Sequence, residues 1–386
     1  MTRELGFEAF QRRRHMLALD GLRALAIIGV LLHHTRHRPF PFVQGFRGVW
    51  VFFVLSGFLI TTLALREEAR NGSLNIRAFM IRRVFRILPL YYLALGVALV
   101  WVFALGMEPE TVDRFRHHLA SYVFYAPEFP IFLHRFEIPF GQTWSLGIEE
   151  KFYLVWPFLA FGLLAHSRYR LAVTLALIAV ALGLTASGGW LAQMWGSYTD
   201  ILLGCLVAQL MHQRATYERL AVLGRPAIAW SLFIALGVAA MIQSTGDQVP
   251  VQVSERLFSL FAAATLIAIV TNQRGPATLL STPWLVRIGV WSYAIYLTHG
   301  FVFDAINPLL PEGRIGDCAS LVVMLAIDLP ICWLLHIWVE QPLIAFGKRL
   351  AAQTRAAAPA PAMTASDVFA TRDPAAGAAD ITASRS

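Results

Sequence analysis

Runs of apolar residues long enough to cross a lipid bilayer recur along this chain, and they restrict its fold more than any motif does. Inside a bilayer every backbone N–H and C=O must be satisfied within the segment, so runs of about twenty apolar residues commit a chain to α-helices. Ten such stretches stand out, at roughly 17–34, 46–65, 84–105, 146–165, 171–189, 194–211, 226–243, 257–271, 286–306 and 319–339. The second carries Gly48, Ser56 and Gly57 and the eighth is short, which makes these two the candidates for a broken or re-entrant helix. Composition agrees with an all-α, polytopic transmembrane bundle: 57% of the residues are hydrophobic and only 15% charged, with a mean hydropathy of +0.58. Such a balance excludes an ordinary soluble enzyme.

Basic residues sort by side once the stretches are counted. Arg12, Arg13, Arg66, Arg70, Arg82, Arg83, Arg86, Arg168, Arg170, Arg214, Arg274, Arg287 and Lys348 fall on one side of a ten-span chain, and the opposite loops hold fewer, among them Arg36, Arg47, Arg114 and Arg256. The positive-inside bias then places both termini in the cytoplasm. The net charge of +8 follows this bias, so no nucleic-acid partner is expected. Residues 1–350 are expected to form the membrane domain and 351–386, rich in Ala, a disordered cytoplasmic tail. The first apolar run ends without a small-x-small cleavage site and stays as a helix. Cys205, Cys318 and Cys332 show neither paired nor metal-ligand spacing and are expected to be packing residues.

Polar residues within apolar stretches mark the interior of a bundle. Arg23 and His34 lie eleven residues apart, which brings them within about 20° of one helix face and separates them by about 16 Å along the axis. Either that face lines the bundle interior, or Arg23 anchors lipid phosphates and His34 is interfacial. Asp20, three residues before Arg23, is placed to pair with it. Arg83 and Arg86 share a face at the start of the third span, where they either grip the phosphates of a nucleotide-like donor or follow the orientation bias alone. Pro89 predicts a kink nearby. Glu149 and Tyr153, four apart, share a face at the mouth of the fourth span, while Glu150 and Lys151 point elsewhere. Asp200, Asp304, His299, Asp328, His336 and Glu340 add polar groups to later spans without metal-ligand spacing, and no metal is expected. The stretch 106–142, with Tyr122, Tyr125, His134 and Glu137, is the longest on its side; it faces an acceptor or lays its aromatics on the bilayer surface.

Several of these segments resemble the integral-membrane acyltransferases called acyltransferase family 3. Leu19-Asp20-Gly21-Leu22-Arg23-Ala24-Leu25-Ala26, running to His34, is similar to the family's first helix, and Gly45 to Ile60, with Ser56-Gly57, to its second. Trp50 stands where the family commonly has an aspartate. Arg83-Val84-Phe85-Arg86 resembles the cytoplasmic Arg-x-x-Arg motif. Trp144-Ser145-Leu146 through Glu149-Glu150 and Phe152-Tyr153-Leu154 resembles the outer-side element, with Gly147 in place of the usual serine. Ser292 to His299 and Val339-Glu340-Gln341-Pro342 resemble the last two signatures, and the resemblance covers about residues 15–350.

What the resemblance implies is a multi-pass enzyme of the bacterial cytoplasmic (inner) membrane that transfers groups other than amino-acyl groups. An acyl-CoA, acetyl-CoA being the commonest, would supply the acyl group, and a hydroxyl of a carbohydrate, polysaccharide or other glycosylated acceptor would receive it. Acyl transfer from a thioester needs a base, stabilisation of the tetrahedral intermediate and a donor held in line. His34 is the expected base, Glu149 or Glu150 its tuning or acceptor-orienting partner, Arg83 and Arg86 the donor's phosphate ligands, and Arg23 an assistant along the path. Tyr153, Ser56, His299 and Glu340 complete the candidate site. Without an outer-side domain in the sequence, the expectation is a stand-alone enzyme or one completed by a periplasmic or membrane partner. The competing reading is a glycolipid or polysaccharide exporter without covalent chemistry.

Overall fold

The computed structural model describes residues 6–13, 15–35, 43–104, 107–134, 139–242 and 251–356. These are all-helical, with no β-strand among the described residues. A short α1 (Phe7–Arg12) precedes α2 (Leu17–His34), α3 (Arg47–Asn71) and α4 (Ile76–Ala104). Two amphipathic pieces, α5 (Pro109–Val123) and α6 (Glu128–His134), lead to α7 (Trp144–Pro157), which runs on as a π-helical turn over Phe158–Leu163. Then follow α8 (Arg170–Thr185), α9 (Gly189–Met211), α10 (Arg214–Leu220), α11 (Pro226–Met241), α12 (Val251–Thr271), α13 (Pro276–Leu280) and α14 (Pro283–Ile306). Last come α15 (Arg314–Leu335), a π-helical turn at His336–Glu340, and α16 (Gln341–Ala356).

Each of the ten apolar stretches is helical, but fewer are long and apolar enough to cross a bilayer unaided. Among the described residues five helices qualify, or six if the pair 214–224 and 226–241, bent by 77°, is one span. The break therefore lies at Arg225-Pro226, not in the second or eighth stretch, where α3 and α12 are continuous. Proline removes an N–H and clashes with the preceding turn, which is why the chain bends there. Pro89 behaves differently, for α4 runs unbroken through it. Helix α16 carries the ordered chain six residues past the expected boundary at 350, to Ala356, and the remainder of the expected tail lies outside the described residues.

Helices approach closely where glycine removes the side chain. A Cβ at Gly57 would lie 1.8 Å from the Ile201 carbonyl oxygen, and one at Gly204 2.0 Å from that of Val54, so α3 and α9 cross backbone to backbone. Helices α2 and α14 meet the same way, Gly289 against the backbone of Asp20, and farther along the His34 ring meets that of His299 edge to face; the two helices run parallel. Arg47 and Arg256 join the starts of α3, α9 and α12 at the end of the bundle that holds His34, here the histidine end. Arg66, Phe10 and His212 join the opposite ends of α3 and α9, here the arginine end. Cys205 and Cys332 are buried in this packing, whereas Cys318 is exposed and is not the packing residue expected.

Candidate active site

Helix α7 is fixed against α3 by the Trp156 indole N–H, which donates to Thr61 Oγ1 at 2.9 Å. That register brings two neighbouring turns of α7 onto Ser56. The Ser56 hydroxyl and the Tyr153 phenol both donate to Glu149 Oε1, which brings the two hydroxyl oxygens side by side. Glu149 and Tyr153 therefore share a face as expected, but Ser56 bridges α3 to α7, not to the α9 helix that Gly57 admits.

These groups line a cavity of about 480 Å³ between α2, α3, α4, α7, α14 and the α15–α16 turn. Arg23, Ser56, Arg83, Arg86, Glu149, Glu150, Tyr153 and Glu340 all contribute to its wall. Glu150 thus belongs with Glu149, although the helical wheel had turned it away. His15, Asp20, Arg66 and Lys348 close the arginine end, and Ser145 and Tyr296 the other. Sequence reasoning had left these out of the site; the three-residue spacing of Tyr293, Tyr296 and His299 was the available signal for one of them.

The cavity's charges are unevenly matched. Arg83 lies over the rings of Phe79 and Tyr153, at 5.5 and 5.2 Å. Among the described residues Arg23, Arg83 and Arg86 enter no ion pair; Asp20 pairs with His15 at 2.8 Å, not with Arg23 as its spacing suggested, and Glu340 with His336 at 2.6 Å. A guanidinium in a water-poor interior without a carboxylate calls for an anion or for water. The π-helical turn at His336–Glu340 is what aims Glu340 inward, an irregularity common at functional sites.

Two of the expected site residues lie outside this wall. His34 ends α2, and its Nδ1–H donates to the Val30 carbonyl at 2.8 Å. Its ring meets that of His299 with centroids 4.8 Å apart, and His299 stands 5.8 Å from Tyr296. Tyr296 belongs to the cavity wall, its OH bonded to Ser145 Oγ at 2.7 Å. The histidine pair therefore adjoins the cavity's end through Tyr296, and Glu149, engaged with Ser56 and Tyr153, makes no bond to His34.

Both departures from the family pattern have local causes. Trp50 packs with Phe46 and Phe258, ring centroids at 5.1 and 5.8 Å, and the Arg47 guanidinium lies over its ring, so the indole fills an aromatic niche and takes a cation–π contact there. Gly147 faces Glu128: a Cβ there would lie 2.2 Å from Oε2. Lys151 donates to Glu128 Oε1 at 2.5 Å and to the Tyr125 carbonyl at 2.5 Å, so a serine at 147 would collide with the ion pair. Burial pushes the Glu128 carboxyl up, and the bond from Lys151 draws it back. Tyr122 and Tyr125 are buried, Tyr125 stacked on Tyr91 at 3.9 Å, so they face neither an acceptor nor the bilayer surface. Glu137 and the side chain of His134 lie outside the described residues.

Comparison with known proteins narrows the chemistry. A family model described as an acyltransferase domain matches residues 16–337. YrhL of Bacillus subtilis (strain 168), named as a candidate peptidoglycan O-acetyltransferase, is 30% identical over 365 residues, covering 88% of this chain and 56% of its own length. OatA of Listeria monocytogenes, named a peptidoglycan O-acetyltransferase, is 29% identical over 334 residues, 77% of this chain and 51% of its own. SAS0844 of Staphylococcus aureus (strain MSSA476), named as a candidate O-acetyltransferase, is 28% identical over 336 residues, 82% of this chain and 55% of its own. The chain spans about half the length of the curated relatives it matches. No solved structure matches it.

Proposed function

The chain belongs to the acyltransferase-domain family, and on that premise we propose that it moves an acetyl group from acetyl-CoA to a hydroxyl of a polysaccharide of the peptidoglycan kind. The observation that carries the donor half is the set of three arginines, Arg23, Arg83 and Arg86, facing one cavity without ion pairs. Coenzyme A bears its phosphates at one end and its thioester at the other, joined by a flexible arm. Arg83 and Arg86 hold the phosphates at the arginine end, and the arm passes Arg23 toward Ser145 and Tyr296. Guanidinium groups suit phosphate because their forked donors match its oxygens.

The acceptor half rests on the histidine pair. His34 Nδ1–H is tied to a carbonyl, which leaves Nε2 as the basic nitrogen. His34 takes the proton of the acceptor hydroxyl, the oxygen attacks the thioester carbonyl, and the C–S bond breaks to release the thiolate. Glu149, Ser56 and Tyr153 shape the wall along which the acyl end travels, and Glu149 orients what enters there. Donor and acceptor thus approach from opposite ends. In this reading the chain crosses the bacterial cytoplasmic membrane ten times with both termini in the cytoplasm. The parallel runs of α2 with α14 and of α3 with α9 support it, since strict alternation requires odd spans to agree with odd and even with even.

Membranes containing the protein, supplied with radiolabelled acetyl-CoA, test the reaction. Label is expected in an alkali-labile ester of the glycan fraction, and His34→Ala is expected to reduce it by roughly 10²- to 10⁴-fold at equal amounts of folded protein. Undiminished labelling in that variant removes His34 as the base.

A further inference from the structure

Two hydroxyls in the cavity wall stand apart from the others. Buried threonines and serines of these helices return their O–H to the carbonyl one turn back, as Thr174, Ser259 and Thr271 do at 2.9, 3.2 and 2.8 Å. In the wall itself Ser56 and Tyr153 are bound to Glu149, Ser145 to Tyr296, and Tyr293 to the Ile87 carbonyl at 2.9 Å. Thr62 of α3 and Ser292 of α14 line the same wall, both are buried, and neither hydroxyl has a hydrogen-bond partner among the described residues. A buried hydroxyl left unbonded costs free energy, and valine at 62 or alanine at 292 would escape that cost.

Their levels along the cavity point to what binds them. Gly289 meets the Asp20 backbone at the arginine end, and three residues farther along the parallel helices stand Ser292 and Arg23. Ser292 is one turn, about 6 Å, short of Tyr296, which bounds the far end. Thr62 lies six residues, about 9 Å, from Ser56 toward the arginine end, and one turn short of Arg66. Both hydroxyls therefore sit between the charged end and the acyl end, with Thr62 nearer the first and Ser292 nearer the second. In coenzyme A the stretch between phosphates and thioester carries two amides in series. An amide offers a carbonyl acceptor and an N–H donor, and a hydroxyl can meet either.

We propose that Ser292 and Thr62 bind this arm, Ser292 the amide nearer the thioester and Thr62 the amide nearer the phosphates. The inference rests on the reading of coenzyme A as the donor. Arginines recognise phosphate, which every nucleotide carries; the two hydroxyls make the middle of the cavity selective for an arm that bears amides.

Acetyl transfer into the alkali-labile glycan ester, measured in membranes over a range of donor concentrations, tests this with acetyl-CoA and with two analogues in which methylenes replace one arm amide or the other. Ser292→Ala and Thr62→Val are each expected to raise the KM for acetyl-CoA roughly fivefold, the effect of one lost hydrogen bond. With the analogue lacking the amide nearer the thioester, Ser292→Ala is expected to match wild type within about twofold while Thr62→Val keeps its deficit; with the other analogue the two variants exchange behaviour. Because each KM is compared between donors on one membrane preparation, the amount of folded protein cancels. For either variant, an equal deficit on all three donors marks a structural effect and overturns the proposal. An unchanged KM, which means that water serves the hydroxyl, overturns it too, as does a deficit that follows the opposite amide. In each of these cases wild-type turnover of acetyl-CoA leaves the donor reading standing, whereas wild-type membranes that turn over none of the three donors bring both down.

Discussion

This fold treats two groups of interior arginines in opposite ways. Arg170 holds Glu68 through both of its terminal nitrogens, at 2.9 and 2.7 Å. Arg256 holds Asp200 at 2.5 Å and the Gly196 carbonyl at 2.8 Å, and Arg66 holds the carbonyls of Arg13 and Phe10 at 2.6 and 2.8 Å. Each of these ties helices together. Arg23, Arg83 and Arg86 instead face a shared cavity with no carboxylate bound to them. The difference separates charge that builds the bundle from charge that waits for a ligand, and it does so from geometry alone.

The sharpest way to break the comparison is to convert one kind of arginine into the other. Asp200→Ala leaves Arg256 only the Gly196 carbonyl and Glu255 at 3.5 Å and is expected to cost about 2–4 kcal/mol of stability, read from unfolding in detergent. Loss of only a few tenths would mean that water already serves that guanidinium. Gly147→Ser is expected to cost about 1–3 kcal/mol by forcing apart the Glu128–Lys151 pair. The cost of Gly147→Ser should be smaller when measured in a Glu128→Ala background than in the wild type, because the colliding oxygen is already gone there. Arg83→Gln gives up the contacts with the Phe79 and Tyr153 rings and is expected to cost about 0.5–2 kcal/mol, and at the small end Arg86→Gln is expected to change stability by no more than about 0.5 kcal/mol, since no ion pair is lost. A large destabilisation by either would place that arginine with Arg256.

The helices were legible because apolar period and length are local properties, and all ten stretches are helical. What escaped was every feature set by a partner distant in sequence. Glu128 and Lys151 are 23 residues apart, and the pair leaves no room for a side chain at residue 147. One local pairing escaped as well: Asp20 meets His15, five residues before it, and not Arg23. His299 was noticed for its resemblance, yet its contact with His34 follows from the parallel packing of α2 and α14, which no pattern within either helix encodes. Length and hydropathy likewise leave the span count at five or six among the described residues, in part because α7 and α8, at 14 and 16 residues, are shorter than a bilayer-crossing helix.

Binding of coenzyme A to the purified protein, compared between wild type and the Arg83→Gln/Arg86→Gln double variant, tests the central claim most directly. The account predicts saturable binding that the double variant weakens by roughly 10²-fold, about 1.4 kcal/mol for each lost charge-assisted contact. Equal binding by the two proteins would contradict the assignment of these arginines to the donor.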